Sequence, residues 1–131
     1  MKAEFGSDPK DLITAIGPSI CADCYEVDET VAEIFRKEFE QDSNWVDVIL
    51  KKGIYFNEHK KHSILEPGKE PGKYQLDLWE ACALNFERAG VLREQIFRTD
   101  LCTRCNPTLL FSARGQKGRQ TNLAAFITIM E

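Results

Sequence analysis

Histidine is nearly absent: 131 residues contain two, His59 and His62. No Ser-His-Asp or Cys-His arrangement has local support, so acid–base work by this chain alone would fall to carboxylates or to those two rings. Positive charge is not in excess either. Lys and Arg number 17 against 21 Asp and Glu, a formal charge of −4, which leaves nothing to neutralise a phosphate backbone and disfavours nucleic-acid binding. Long apolar runs are missing, none approaching the roughly 20 residues that span a bilayer. The opening residues MKAEFGSDP lack the apolar stretch of a secretory signal. These absences point to a cytoplasmic protein with no membrane partner.

What is present is a foldable composition. Hydrophobic residues make up 43% and charged residues 29%, a balance that removes disorder as the main state. The length predicts one domain over residues 1–131 with a core of its own. The five cysteines are an odd number in a chain that is not short and loop-rich, which favours reduced thiols over a disulfide framework.

Local patterns predict the elements. Residues 1–5 read as the last turn of a helix closed by Gly6, and residues 12–16 as a short strand stopped by Gly17 and Pro18. Asp28 is a candidate N-cap for a helix that places Val31, Ile34, Phe35 and Phe39 on one face, with Thr30 and Glu33 as a capping box. Residues 45–49 and 54–56 read as short strands or turns. Residues 57–73 are polar, end in two Pro-Gly signals, and read as a surface loop. A second helix starts at Asp77, points Leu78, Trp79, Cys82, Phe86 and Ala89 inward, and stops at Gly90. Strands are predicted at 95–98, 108–113 and 122–130, the last apolar on both faces and suited to a covered position in a sheet. The order is a mixed arrangement of strands and two main helices.

Four cysteines form two Cys-x-x-Cys pairs, Cys21/Cys24 and Cys102/Cys105. Two such turns make a closed four-thiolate zinc shell if tertiary folding unites them. The competing readings are semi-buried thiols beside strand ends, or reversible disulfide chemistry. His59 and His62 have the spacing of a metal pair on a helix, yet Lys60 and Lys61 between them repel a cation, which favours a solvated charge run. The basic turn from Phe111 to Gln120 carries Arg114, Lys117 and Arg119 with Gly115 and Gly118. Its backbone N–H groups and arginines suit an anion such as phosphate, against the plainer reading of an exposed hairpin turn. It lacks the Gly-Lys-Ser/Thr of a Walker-type loop. Ser19, after the Gly17-Pro18 corner, is placed to aim its Oγ into a cleft at a strand end, or is simply part of a corner.

Taken in order, the segments A15-I-G-P-S-I20, C24-Y-E-V27, K73-Y-Q-L-D-L-W79, A89-G-V91, D100-L-C-T103 and F111-S-A-R114 resemble one family. It is the bacterial laccase-domain family, also called polyphenol-oxidase or peptidoglycan-editing-factor proteins, which are purine nucleoside phosphorylases. The resemblance implies an α+β layered sandwich around a mixed sheet. It also implies zinc-assisted phosphorolysis of adenosine, inosine and methylthioadenosine, and deamination of adenosine; copper is an older label. Purine nucleoside and phosphate are then the partners. Gly17, Ser19, Ser112, Arg114 and Arg119 become candidates for substrate or anion contact. The family's metal ligands, a His, a Cys and a second His from its first half, have no counterparts here. The chain therefore resembles the C-terminal half of such a protein, expected to be inactive alone and to need a missing N-terminal half, or to pair with a second copy.

Overall fold

Two aspartates and two glycines set the helix boundaries. In the computed structural model, which describes residues 2–39, 65–116, 123, 124 and 126, Asp28 Oδ1 accepts from the Val31 N–H at 3.1 Å and opens a helix over Glu29–Phe39. Asp77 Oδ1 accepts from the Glu80 N–H at 3.1 Å and opens another over Leu78–Arg88. Each side chain satisfies an N–H that the first helical turn leaves without a partner. In chain order the elements are α1 (Lys2–Phe5), β1 (Thr14–Ile16), β2 (Glu26–Asp28), α2 (Glu29–Phe39), β3 (Leu65–Pro67), β4 (Lys73–Leu76), α3 (Leu78–Arg88) and β5 (Ile96–Arg98). The class is α+β, as expected.

The described residues gather into two compact units where the sequence reads as one domain. The unit Cys21–Leu84 contains an antiparallel sheet in the order β2-β4-β3. Val27 faces Tyr74, and Leu65 faces Leu76. β3 corrects the expectation of a surface loop through residue 73. The two Pro-Gly signals supply the turn of a β3–β4 hairpin, with the Gly68 N–H donating to the Lys73 carbonyl at 2.7 Å and Gly72 at φ 75°. The part of that predicted loop before residue 65, the expected strands at 45–49 and 54–56, and both histidines lie outside the described residues.

α2 packs its inner face on this sheet. Val27, Ala32, Phe39, Leu65, Leu76 and Ala81 form the buried cluster, with Val31, Phe35 and Tyr74 packed against it. Phe35 and Phe39, one turn apart, lie nearly parallel with ring centroids 6.3 Å apart. Two details of the helical faces differ from expectation. Ile34 is 62% exposed while Ala32 is fully buried, so the buried stripe is turned toward the smaller residue. In α3 the buried residues are Trp79, Glu80, Ala81 and Ala83, whereas Cys82 and Ala89 are exposed. Small side chains let a helix approach closely, and hydrophobic periodicity undercounts alanine. The capping box is not formed either, since Glu33 pairs with Arg36.

The second unit, Met1–Ile20 with Asn85–Glu131, contains a parallel pair of β1 and β5 in the register Thr14↔Ile96, Ala15↔Phe97 and Ile16↔Arg98. The Thr99 N–H donates to the Ile16 carbonyl at 3.0 Å and extends the pairing by one residue. α1 ends at Gly6, with φ 64°, as the sequence predicts. α3 ends in a Schellman closure: the Val91 N–H donates to the Phe86 carbonyl at 3.0 Å, and the Gly90 N–H to that of Glu87 at 2.9 Å. Gly90 sits at φ 95°, open to glycine and costly to other residues.

The strand predicted at 108–113 is absent. Residues 107–109 and 113–115 are turns, because Asn106 and Ser112 draw the following N–H groups back onto their own carbonyls. Of the strand predicted at 122–130, Leu123, Ala124 and Phe126 are described, and none of the three is in a strand.

Candidate metal centre

The corner after β1 leads directly to the chemistry. Past Gly17 and Pro18, Ser19 forms a parallel bridge with Cys102, and its carbonyl accepts from the Thr103 N–H at 2.9 Å. This pairing continues the direction of β1–β5 and brings residue 19 to residue 102 across most of the chain. Cys21 follows two positions later and begins a 3-10 turn over Ala22–Cys24, in which the Cys24 N–H donates to the Cys21 carbonyl at 3.0 Å. Both thiols of that pair are half-buried.

The second pair is held by its own turn. The Asn106 N–H donates to the Cys102 carbonyl at 3.1 Å, and the Asn106 side-chain amide donates to the same oxygen at 2.8 Å. The Cys105 N–H points at Cys102 Sγ, 3.4 Å away. Cys102 is buried and Cys105 exposed.

None of Cys21, Cys24, Cys102 and Cys105 is in a disulfide; the first pair belongs to the Cys21–Leu84 unit and the second to the other. Among the described residues of either unit by itself, no group of three or more His, Cys, Asp or Glu side chains is arranged to hold a metal. The fifth cysteine, Cys82, is exposed on α3. The His-Cys-His donor set that the family resemblance implies has no counterpart among the described residues, which include neither histidine.

The candidate substrate residues are more scattered. Gly17 is exposed in the corner, and Ser19 is half-buried beside Cys102. Ser112 is buried, its Oγ accepting from the Gly115 N–H at 3.2 Å and its carbonyl from the Gln116 N–H at 2.8 Å. Gly115, expected to offer its N–H to an anion, thus gives it to Ser112. Arg114 is exposed in the same turn, and Arg119, Lys117 and Gly118 lie outside the described residues. What sequence reasoning missed is the role of the Asn106 side chain, whose amide joins the backbone N–H in donating to the Cys102 carbonyl and shapes the second thiol turn. The signal was its position directly after Cys105, where a turn-forming side chain is favoured.

Comparisons with known proteins place this geometry in context. The sequence profile of the multi-copper polyphenol oxidoreductase laccase family matches residues 1–130. The chain is 33% identical over 121 residues to the purine nucleoside phosphorylase YlmD of Geobacillus stearothermophilus, covering 91% of this chain and 36% of that protein. It is 34% identical over 109 residues to the adenosine deaminase RL5 of an unknown prokaryotic organism, covering 83% and 34%. The crystal structure of YlmD from Geobacillus stearothermophilus superposes with a TM-score of 0.62 at 29% identity, covering 87% of this chain and 35% of that one. The chain thus spans about a third of the length of the relatives it matches.

Proposed function

This chain belongs to the multi-copper polyphenol oxidoreductase laccase family, and from that premise we propose that it is the C-terminal scaffold portion of a purine nucleoside phosphorylase and adenosine deaminase. The observation that carries this reading is the match over nearly the whole chain to about a third of proteins bearing those names. Purine nucleosides and phosphate are its substrates once the scaffold is completed, zinc is the catalytic metal, and the cytoplasm is the setting. Consistent with the last point, no described helix is long and apolar enough to cross a membrane.

The scaffold alone is inactive. A catalytic zinc needs about three protein donors and one open position, where it activates water or polarises a substrate. The His and Cys donors of that centre come from another polypeptide segment. This chain contributes the corner at Gly17 and Ser19, and the turn where Ser112 orients the backbone ahead of Arg114. Arg114, with Arg119, supplies positive charge for a phosphate or carboxylate.

The test is complementation. The purified chain is assayed with zinc, phosphate and inosine, alone and together with the part of Geobacillus YlmD outside the matched stretch, made as a separate polypeptide. Phosphorolysis only in the mixture is expected. Turnover by the chain alone would overturn the reading.

A second reading rests on the two Cys-x-x-Cys pairs, each held in a turn closed by its own backbone hydrogen bond. In it the chain is a small structural domain in which the cysteines hold a metal ion of their own. The two readings are compatible, since a structural ion can brace a scaffold whose catalytic ion lies elsewhere.

A further inference from the structure

We infer that Cys102 and Cys105 form a dithiol that peroxides modify: Cys105 is the thiol the oxidant reaches, and Cys102 is the thiol that resolves it into a disulfide. Both residues belong to the unit Met1–Ile20 with Asn85–Glu131, and the inference is independent of the nucleoside chemistry proposed above.

Geometry is the first support. Thr103, Arg104 and Cys105 form a turn closed on the Cys102 carbonyl, which accepts from the Asn106 N–H at 3.1 Å and from the Asn106 side-chain amide at 2.8 Å. Such a closure is a single helical turn, whose first and fourth Cα atoms stand about 5 Å apart. A disulfide spans Cα atoms about 4.4–6.8 Å apart. The Cys102 side chain also points the right way. The Cys105 N–H donates to its sulfur at 3.4 Å, so that sulfur lies back over the turn toward residue 105. The Sγ atoms of Cys102 and Cys105 are within 4.8 Å of each other, and side-chain rotation carries them to the S–S bond length of about 2.05 Å.

Access assigns the two roles. Cys105 is exposed, whereas Cys102 is 5% exposed and fixed by its bridge to Ser19 in the same unit. Oxidation begins at the thiol that solvent reaches, and a buried sulfur beside it is placed to react with that sulfur alone. The loop to be closed is four residues long and already shaped by Asn106, so closing it costs little further chain entropy. The other cysteines lack one half of this arrangement. Cys21 and Cys24 have the same spacing but are both half-buried, and Cys82 is exposed with no second cysteine a turn away.

The chemistry closes without a further reactant. The Cys105 sulfur attacks one oxygen of hydrogen peroxide and the O–O bond breaks. The thiol becomes a sulfenic acid, and the displaced hydroxide takes the thiol proton and leaves as water. The Cys102 sulfur then attacks the Cys105 sulfur. An S–S bond forms, the S–O bond breaks, and the hydroxyl departs with the Cys102 proton as a second water. Two thiols have lost two electrons and two protons to one peroxide, and an external dithiol returns them by exchange.

The experiment treats the reduced full chain, with a chelator present, with equimolar hydrogen peroxide and maps the disulfides by mass spectrometry without reduction. Trypsin cuts after Arg104, between the two cysteines, so the bond is read as two peptides joined through Cys102 and Cys105 that separate on adding dithiothreitol. Thiol counting is expected to fall from five to three. In Cys102→Ser, Cys105 is expected to remain a sulfenic acid and to take dimedone; in Cys105→Ser, residue 102 stays a thiol. Should those variants fold poorly, brief alkylation of the unmodified chain tests the same roles, with Cys105 labelled and Cys102 spared. Cys102 and Cys105 both still reduced once Cys82 is oxidised would overturn the inference. So would either of them joined to a different cysteine, dimedone on Cys102, or alkylation of Cys102 ahead of Cys105. These readouts follow thiols and not phosphorolysis, so failure here leaves the complementation assay untouched.

Discussion

The guanidinium carbon of Arg36 lies 4.6 Å from the centroid of the Tyr74 ring, and the Tyr74 hydroxyl donates to Glu29 Oε2 at 2.5 Å. Arg36 also pairs with Glu29 and Glu33. A helix residue, its neighbours one and two turns away, and a residue of β4 thus share one polar network over the buried cluster of the Cys21–Leu84 unit. The network makes Arg36 a stacked and charge-paired group, a combination lysine does not reproduce.

Glu29 titrates below the ordinary glutamate value, first because of the Tyr74 hydroxyl and next because of Arg36. A depressed carboxyl contributes stability above its unfolded-state value, near 4.3, and that stability is lost as pH falls through the lower folded-state value. In Tyr74→Phe the Glu29 midpoint is expected to rise toward the ordinary value, with a correspondingly smaller acid-side contribution. Carboxyl-carbon NMR titration of the two proteins checks this; identical Glu29 curves would refute it.

The rotated face of α2 predicts unequal costs for two apolar residues on one helix. Phe39 is 1% exposed, so Phe39→Ala is expected to cost about 3–5 kcal/mol. Ile34→Ala, at a largely exposed position, is expected to stay within about 0.5 kcal/mol. Denaturant unfolding followed by circular dichroism measures both. Equal losses would place Ile34 in the core after all.

Removing the cap of α3 isolates a single hydrogen bond. Asp77→Ala leaves the Glu80 N–H without its side-chain acceptor and is expected to cost about 1 kcal/mol, with Asp77→Asn largely restoring it. An asparagine variant as weak as the alanine one, in the same unfolding experiment, would count against the cap.

At the other end of α3, Gly90 combines φ 95° with an added Cβ that would stand 3.2 Å from Pro9 Cβ. Gly90→Ala is therefore expected to destabilise by about 1 kcal/mol or more, despite alanine's higher helix propensity. Ala89→Ser, one residue earlier and exposed, is the control and is expected to be near neutral. A shift of thermal midpoint no larger than the control's would refute the strain argument.

Local chemistry made a good part of this molecule legible from its sequence. The aspartates that open α2 and α3, the glycines that close α1 and α3, and the β1 and β5 segments all act within a few residues, where side-chain hydrogen bonds and allowed φ values decide. The order of short motifs likewise identified the family. Contacts between distant residues decided the rest. Ala32 was chosen over Ile34 by the closeness of the sheet beneath α2, the Pro-Gly stretch became a hairpin because β4 offered β3 a partner, and Ser112 turned its segment away from the extended form. The thiols show the division most clearly: two Cys-x-x-Cys pairs are visible in any reading of the chain, but spacing along a polymer does not fix distance in space. The Ser19–Cys102 bridge, a tertiary pairing with no local signal, is what sets the second pair beside the corner after β1.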